Sequence, residues 1–402
     1  MAEVADTVVI GAGAAGIGVA AELRRRGVER VLVLERAGAV GESWRRRYDD
    51  LRLNTARRLS APRRHRIPAE HGTWPTRDAF VAHLEDVAAR ERLDIRFGVT
   101  VTRIDRGAEG WTLQTGAGPL HVRFVVVATG YDRVAHMPEW PGRDEFSGEV
   151  LHASQYRSAT PFQGRDVLVI GTGNTGTEIA TRLARGCAAR VRVSLRTPPN
   201  IMPARVLGVP ATFLARMNET APAWLVDRGG FLIQRLAWGD LSRHGMQRAP
   251  HGVATELRVR SLGATLDRGF VAALKERRLT LVDAVEAFDG PDVVLASGAR
   301  LRPEVVIAAT GYRHGLEPLV GHLGVLKGEG RPVARAGDAH PGAPGLHFNG
   351  FLLPLSGQLP AMRRTSRRIA RQIAKERRLM MRQAAKRPRE RGLSRPGSAT
   401  AA

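Results

Sequence analysis

Thr7-Val8-Val9-Ile10-Gly11-Ala12-Gly13-Ala14-Ala15-Gly16 is the stretch that decides the fold. A short β-branched apolar run leads into G-x-G-x-x-G, and the Ala/Leu-patterned residues that follow read as a helix. Each glycine has its own physical reason. Gly11 permits the tight turn, Gly13 lets backbone N–H groups approach a pyrophosphate, and Gly16 lets helix and strand pack closely, with the helix N-terminus favouring negative charge. The plan returns at Val167 to Ile170 followed by Gly171-Thr172-Gly173-Asn174-Thr175-Gly176. One match is a weak signal. Two, each in a strand, turn and helix context, predict an α/β chain with two Rossmann-like dinucleotide-binding domains.

The residues beyond each fingerprint separate the two ligands. After the first, the strand Val31-Leu32-Val33-Leu34 ends in Glu35, where a carboxylate can accept hydrogen bonds from free ribose hydroxyls. After the second, Val191 to Leu195 ends in Arg196, with no acid there to repel a phosphate, and a guanidinium suits a 2′-phosphate. The first half is therefore assigned to FAD and the second to NADPH.

A second pair of echoes ends in Ala128-Thr129-Gly130 and Ala309-Thr310-Gly311, each after a buried-type strand. Together the echoes predict that the NADPH domain is inserted into the FAD domain. The expected division is 1–140 for the first part of the FAD domain, 141–304 for the NADPH domain with a helical apolar insertion, 305–382 for the second FAD part and a C-terminal helix, and 383–402 for a basic disordered tail. Trp111 to Gln114 and His121 to Val127 read as a small antiparallel layer.

The composition fits an ordinary globular chain, with 402 residues, 43% apolar and 25% charged. Its net charge of +23 is unevenly placed, since 14 basic residues against two acids lie from Ala361 onward. Basic charge without a recognised motif is a weak footprint, so no nucleic-acid partner is expected. The single cysteine, Cys187, excludes an intrachain disulfide and any relay through a cysteine pair, which argues against a disulfide reductase and for a cytoplasmic setting. No basic and apolar leader precedes Thr7 and no run of 18 apolar residues occurs, so neither secretion nor a transmembrane segment is expected.

Further residues carry a family resemblance. Gly41-Glu42-Ser43-Trp44, Tyr48, Leu51-Arg52-Leu53-Asn54-Thr55 and Trp74-Pro75 resemble the flavin-covering segment of flavin-containing monooxygenases. Phe146-x-Gly148-x-x-x-His152-x-x-x-Tyr156-Arg157 is similar to the signature that this family carries before its NADPH fingerprint, and Tyr rather than Trp at 156 favours heteroatom oxygenation over Baeyer–Villiger chemistry. Arg196-Thr197-Pro198-Pro199, Trp224 to Asp227 and Gly245-Met246-Gln247-Arg248 resemble the YUCCA-like branch, although His244 and Ala249 depart from it.

The resemblance implies that NADPH reduces FAD, that oxygen adds to give a flavin hydroperoxide, and that one oxygen atom passes to a small organic substrate. N-oxygenation, S-oxygenation and oxidative decarboxylation of an indole-3-pyruvate-like 2-oxo acid all remain open, as does an alternative in which an NADPH oxidase or electron-transfer reductase oxygenates nothing. Asn54 is the candidate catalytic residue, placed beside the reacting carbon of the flavin. Candidate cofactor contacts are Gly11, Gly13, Ala14, Ala15, Gly16, Glu35, Ser43, Trp44, Asn54, Thr55, Val101, Ala128, Thr129 and Gly130 in the first half. The others are Tyr156, Gly171, Gly173, Asn174, Thr175, Gly176, Arg196, Thr197, Thr310 and Gly311. No metal is expected, His152 is expected to link the domains rather than move a proton, and Trp44 reads equally as a flavin contact or a core residue.

Two apolar patterns stay open in function. Residues 201 to 250 carry Phe213, Leu214, Trp224, Leu225, Phe231, Ile233 and Trp238 at helical spacing, which fits either a roof over the substrate or plain core packing. Met362, Ile369, Ile373 and Met380 on an arginine-rich helix fit docking on the body or a peripheral contact with anionic lipid. A monomer or a homodimer is expected.

Overall fold

The computed structural model describes residues 5–186, 188–334 and 337–390, with the side chains of 384–390 left aside. In chain order, the elements that position the site begin with β1 (Thr7–Ile10), α1 (Ala14–Arg24), β2 (Val31–Leu34), α2 (Arg77–Arg90), β3 (Asp94–Arg96), β4 (Val101–Gly107), β5 (Gly110–Thr115), β6 (Gly118–Val122) and β7 (Phe124–Val127). They continue with β8 (Glu149–His152), β9 (Asp166–Ile170), α3 (Asn174–Arg185), β10 (Arg190–Ser194), α4 (Ala211–Met217), α5 (Ala223–Trp238), α6 (Val253–Arg260) and β11 (Thr265–Asp267). The last are β12 (Thr280–Val282), β13 (Val305–Ala308), β14 (Leu346–Phe348) and α7 (Gln358–Glu390).

Two five-stranded parallel sheets result, one in the order β14-β7-β1-β2-β3 and the other β12-β10-β9-β13-β8. The β-branched runs of β1, β7, β9 and β13 are almost wholly buried, as parallel strands covered on both faces must be. All of the second sheet lies in sequence between β7 and β14, so the second Rossmann unit is an insertion in the first. Strand β13 belongs to this second sheet, paired with β9 and β8. The chain therefore returns to the first unit after β13 and not at residue 305, because the Val305-Val306-Ile307 run completes the inserted sheet's core.

The antiparallel layer is β4-β5-β6, and it differs from expectation at one end. His121 to Val127 is not one strand: β6 ends at Val122 and β7 begins at Phe124, crossing from the antiparallel layer into the parallel sheet.

Both fingerprints fold alike for a steric reason. Gly11 (φ +108°) and Gly171 (φ +113°) sit in the left-handed region, and a Cβ on either would stand 2.6 Å from the carbonyl oxygen of Ala128 or Ala309. The neighbouring strands continue past these turns, with Ala128 N–H donating to Ile10 and Ala309 N–H to Ile170 at 2.9 and 2.8 Å. The Ala-Thr-Gly echoes are thus the walls against which the glycine turns close.

Helix α7 docks on α1 through Ile369 and Ile373, both fully buried, with Met362 packed against the same core, while Met380 is 40% exposed. The helix runs to Glu390, past the expected boundary at residue 382 and with Pro388 in its last turn. Residues 391–402 lie outside the described residues. Ile373→Ala should cost about 2–5 kcal/mol by leaving a cavity, read as a fall in the thermal midpoint, whereas Met380→Ala should change stability by less than about 0.5 kcal/mol.

Candidate functional site

The strands of both units point their C-terminal ends toward the cleft between them, the place where open α/β sheets bind ligands. A cavity of about 1510 Å³ opens there. It gathers Asn54 and Thr55 from the first unit with Gly173, Asn174, Thr175, Gly176, Arg196, Thr310 and Gly311 from the second. Helices α4 and α5 roof it with Leu214, Leu225, Val226 and Ile233, so the apolar insertion does face the cavity. Other residues of that insertion, among them Trp224, Leu232 and Leu236, are exposed.

The glycine cradles fit dinucleotides. Helices α1 and α3 begin at Gly13 and Gly173 without side-chain caps, which leaves first-turn N–H groups for a pyrophosphate. Gly16 and Gly176 leave no room for a side chain, since a Cβ would stand 1.8 and 2.0 Å from the carbonyl oxygens of Gly11 and Gly171. In the first unit, Glu35 accepts from Ala12 N–H at 2.7 Å and from Ala37 N–H at 2.9 Å, which fixes its carboxylate beside the glycine turn with lone pairs to spare. Ser43 lies against Gly13, and the buried Thr129 hydroxyl has no protein partner. These donors and acceptors suit the adenosine and pyrophosphate of FAD.

In the second unit Arg196 is exposed on the cavity lining, and Arg260 of α6 donates to Thr197 Oγ1 at 3.3 Å beside it. Asn174 lines the cavity as well. Its amide bridges Ala264 O and Leu266 N–H, tying β11 to the fingerprint helix.

Three further candidates sit in packed surroundings. Trp44 is half-buried and meets Phe80 edge-on with ring centroids 5.0 Å apart. Val101 is 4% exposed in the core shared with β1, β2 and β7. Tyr156 is buried between Tyr48 and Phe162 with its hydroxyl unpartnered, and burial raises its phenol above the ordinary value. His152 bonds within the second unit, to the turn that follows the neighbouring strand β13. Ser154 N–H donates to its Nδ1 at 3.1 Å, so Nε2 carries the hydrogen that reaches Gly311 O at 3.1 Å. Burial lowers its pKa below the ordinary imidazole value.

A buried polar seam joins the units and was not legible in the sequence. Tyr48 OH donates to Glu178 Oε2 at 2.6 Å, and Glu178 is 2% exposed. Arg182 reaches Asp50 at 2.6 Å and lies over the Tyr48 ring at 4.6 Å. Burial, with the Glu178 carboxylate beside it, raises the Tyr48 phenol well above its ordinary range. Arg268 completes the seam, donating to Asn54 Oδ1 at 3.1 Å and to Leu53 O at 2.8 Å.

Comparison with known proteins bears on this geometry. The family described as pyridine nucleotide-disulphide oxidoreductase matches residues 8–217. Probable indole-3-pyruvate monooxygenase YUCCA8 of Arabidopsis thaliana is 32% identical over 318 residues, covering 76% of this chain and 74% of its own. This chain belongs to the flavin monooxygenase family. In fold it also resembles the flavin-containing monooxygenase from Stenotrophomonas maltophilia, with a TM-score of 0.71 at 21% identity over 92% of this chain and 98% of that one. OTEMO in complex with FAD and NADP gives a TM-score of 0.70 at 18% identity, over 94% of this chain and 86% of that one. The protein is accordingly an NADPH- and O2-dependent FAD monooxygenase, and the oxidase or electron-transfer alternative is not favoured. Among the described residues, no helix is long and apolar enough to cross a membrane.

The two cradles can be told apart experimentally. Gly16→Ala should yield protein that has lost most of its FAD absorbance, whereas Gly176→Ala should keep the flavin and weaken NADPH binding by about tenfold or more, a loss of roughly 1.4 kcal/mol. Equal loss of flavin in both variants would contradict the assignment.

Proposed function

We propose that the monooxygenase acts on a small organic substrate with an apolar body, bound under α4 and α5, and that an aromatic 2-oxo acid of the indole-3-pyruvate kind is the first class to test. The observation that carries this reading is the cavity itself, in which Asn54 and Thr55 share one space with Thr310, Gly311 and a roof of Leu214, Leu225, Val226 and Ile233. The names of relatives at about one-third identity supply the 2-oxo acid class. N- and S-oxygenation are the other outcomes of the same assay.

In this reading the residues from Gly11 to Gly16, Glu35 and the Ala128 to Gly130 turn hold FAD, while Gly171 to Gly176, Arg196, Thr197, Thr310 and Gly311 hold NADPH. The bound pair supplies hydride transfer and oxygen activation. The chain's own work is to orient and to exclude water. Leu214, Leu225, Val226 and Ile233 keep the roof dry, which limits escape of hydrogen peroxide. Asn54 offers an amide on the flavin side, where a fixed dipole stabilises developing charge without reorganising. Arg196 gives the 2′-phosphate a cationic partner, and Glu35 accepts from ribose hydroxyls in the other half. NADPH is a cofactor of the cell interior, which supports a cytoplasmic setting, and the chain is read as a monomer or a homodimer.

Two measurements test the reading. With indole-3-pyruvate, NADPH oxidation should accelerate, and product should form with far less than one peroxide per NADPH. Substrate-independent NADPH use ending wholly in peroxide would overturn it. Asn54→Ala should raise peroxide released per NADPH severalfold with little change in the KM for NADPH. Separately, Arg196→Ala should raise the KM for NADPH by about tenfold or more and leave that for NADH nearly unchanged, and an unchanged NADPH preference would remove the 2′-phosphate role.

A further inference from the structure

We propose that Arg268 is a positioning residue that fixes which end of the Asn54 amide faces the cavity, so that the NADPH unit sets the hydrogen-bond polarity of the flavin-side loop. The inference rests on the reading of Asn54 given above and deepens it. It starts from an elementary asymmetry. A guanidinium has five N–H donors and no acceptor, while a carboxamide has one limb of each kind. The limb of Asn54 turned to Arg268 must therefore be the oxygen, and Nε donates to Oδ1 at 3.1 Å. The NH2 group is left on the other limb of a side chain that lines the cavity. Asn54 is thereby a hydrogen-bond donor to whatever occupies the space beside it.

Arg268 is built to hold this position. Its Nη2 donates to Leu53 O at 2.8 Å, so the same guanidinium grips the backbone just before Asn54 as well as its side chain. Its Nε lies 3.8 Å from Glu178 Oε1, its guanidinium carbon lies 5.2 Å from the Trp74 ring centre, and the side chain is 17% exposed. The backbone that carries it is pinned by Asp267, which accepts from Gly269 N–H at 3.1 Å and from Val271 N–H at 2.9 Å. Glu178 in turn sits on α3, the helix that opens with the second fingerprint, and accepts from Tyr48 and Arg182 as well. A short chain of contacts therefore runs from the NADPH helix through Glu178 and Arg268 to Asn54. Without the donor-only guanidinium the amide is free to present either limb to the cavity.

The test uses three variants of the full-length holoenzyme and one measurement on the apoprotein. Asn54→Asp keeps the acceptor that Arg268 binds and removes the donor. It should fold with an unchanged or higher thermal midpoint and release as much peroxide per NADPH as Asn54→Ala. Wild-type coupling in Asn54→Asp would overturn the assigned orientation. Arg268→Gln, which offers both donor and acceptor, should raise peroxide per NADPH severalfold, with the KM for NADPH changed less than about twofold and kcat for product lowered. Arg268→Lys, a donor without acceptors, should restore part of the coupling, and it remains available if the glutamine variant folds poorly. In the apoprotein, the thermal destabilisation of Asn54→Ala and Arg268→Met should be less than additive when combined, because each removes the same hydrogen bond. Additive losses, or normal coupling in Arg268→Gln, would overturn the positioning role. In that case Asn54→Ala still reads out the role of Asn54 by itself, so the two failures are distinguishable.

Discussion

The Glu178 carboxylate, almost fully buried between the two nucleotide units, is the interaction on which the site depends. A carboxylate removed from water is tolerated only when paired and hydrogen-bonded, and here Tyr48 and Arg182 bond to it while Arg268 approaches within ion-pair reach. Breaking one partner of such a buried cluster typically costs about 3–5 kcal/mol, whereas replacing the whole by apolar residues costs little. Its value therefore lies in geometry. Tyr48 comes from the FAD unit and Glu178 from the first turns of the NADPH fingerprint helix, so satisfying the carboxylate brings the two cradles to a fixed separation. The same cluster holds the flavin-side loop through Arg268.

That constraint gives the chemistry its setting. A monooxygenase has to keep reduced flavin and activated oxygen away from bulk water until a substrate is present. The roof of α4 and α5 is contributed by an insertion within the NADPH unit, and the floor by Asn54 and Thr55 of the FAD unit. Each unit thus supplies one wall of a cavity that neither encloses alone. The bonds from Arg268 to Leu53 and Asn54 fix the walls near the chemistry rather than at the periphery.

The fold was legible because its requirements are local. Gly11 and Gly171 need positive φ beside a carbonyl, Gly16 and Gly176 need space, and each need writes itself into one short stretch. The acid after β2 and the arginine after β10 were legible for the same reason. The return point between the units was misplaced because Val305 to Ala308 reads as a buried parallel strand without stating which sheet it completes. Helix α7 continues past residue 382 although a dense run of arginines looks like a solvated chain, because arginine is a good helix former. Arg268 carried no signal at all. It is one of many arginines, and its meaning lies in contacts to Leu53 and Asn54, more than two hundred residues away in the chain. Val101 and Tyr156 are buried among core side chains, and Trp44 packs partly buried against Phe80.

The central claim is that this chain transfers one atom of molecular oxygen to a bound substrate at the expense of one NADPH. The direct measurement is turnover of an accepted substrate under ¹⁸O2 in unlabelled water, with mass analysis of the product and parallel counting of NADPH. The account predicts one ¹⁸O atom per product molecule and one NADPH consumed for each. Product lacking the label, with the electrons of NADPH recovered as hydrogen peroxide, would contradict it.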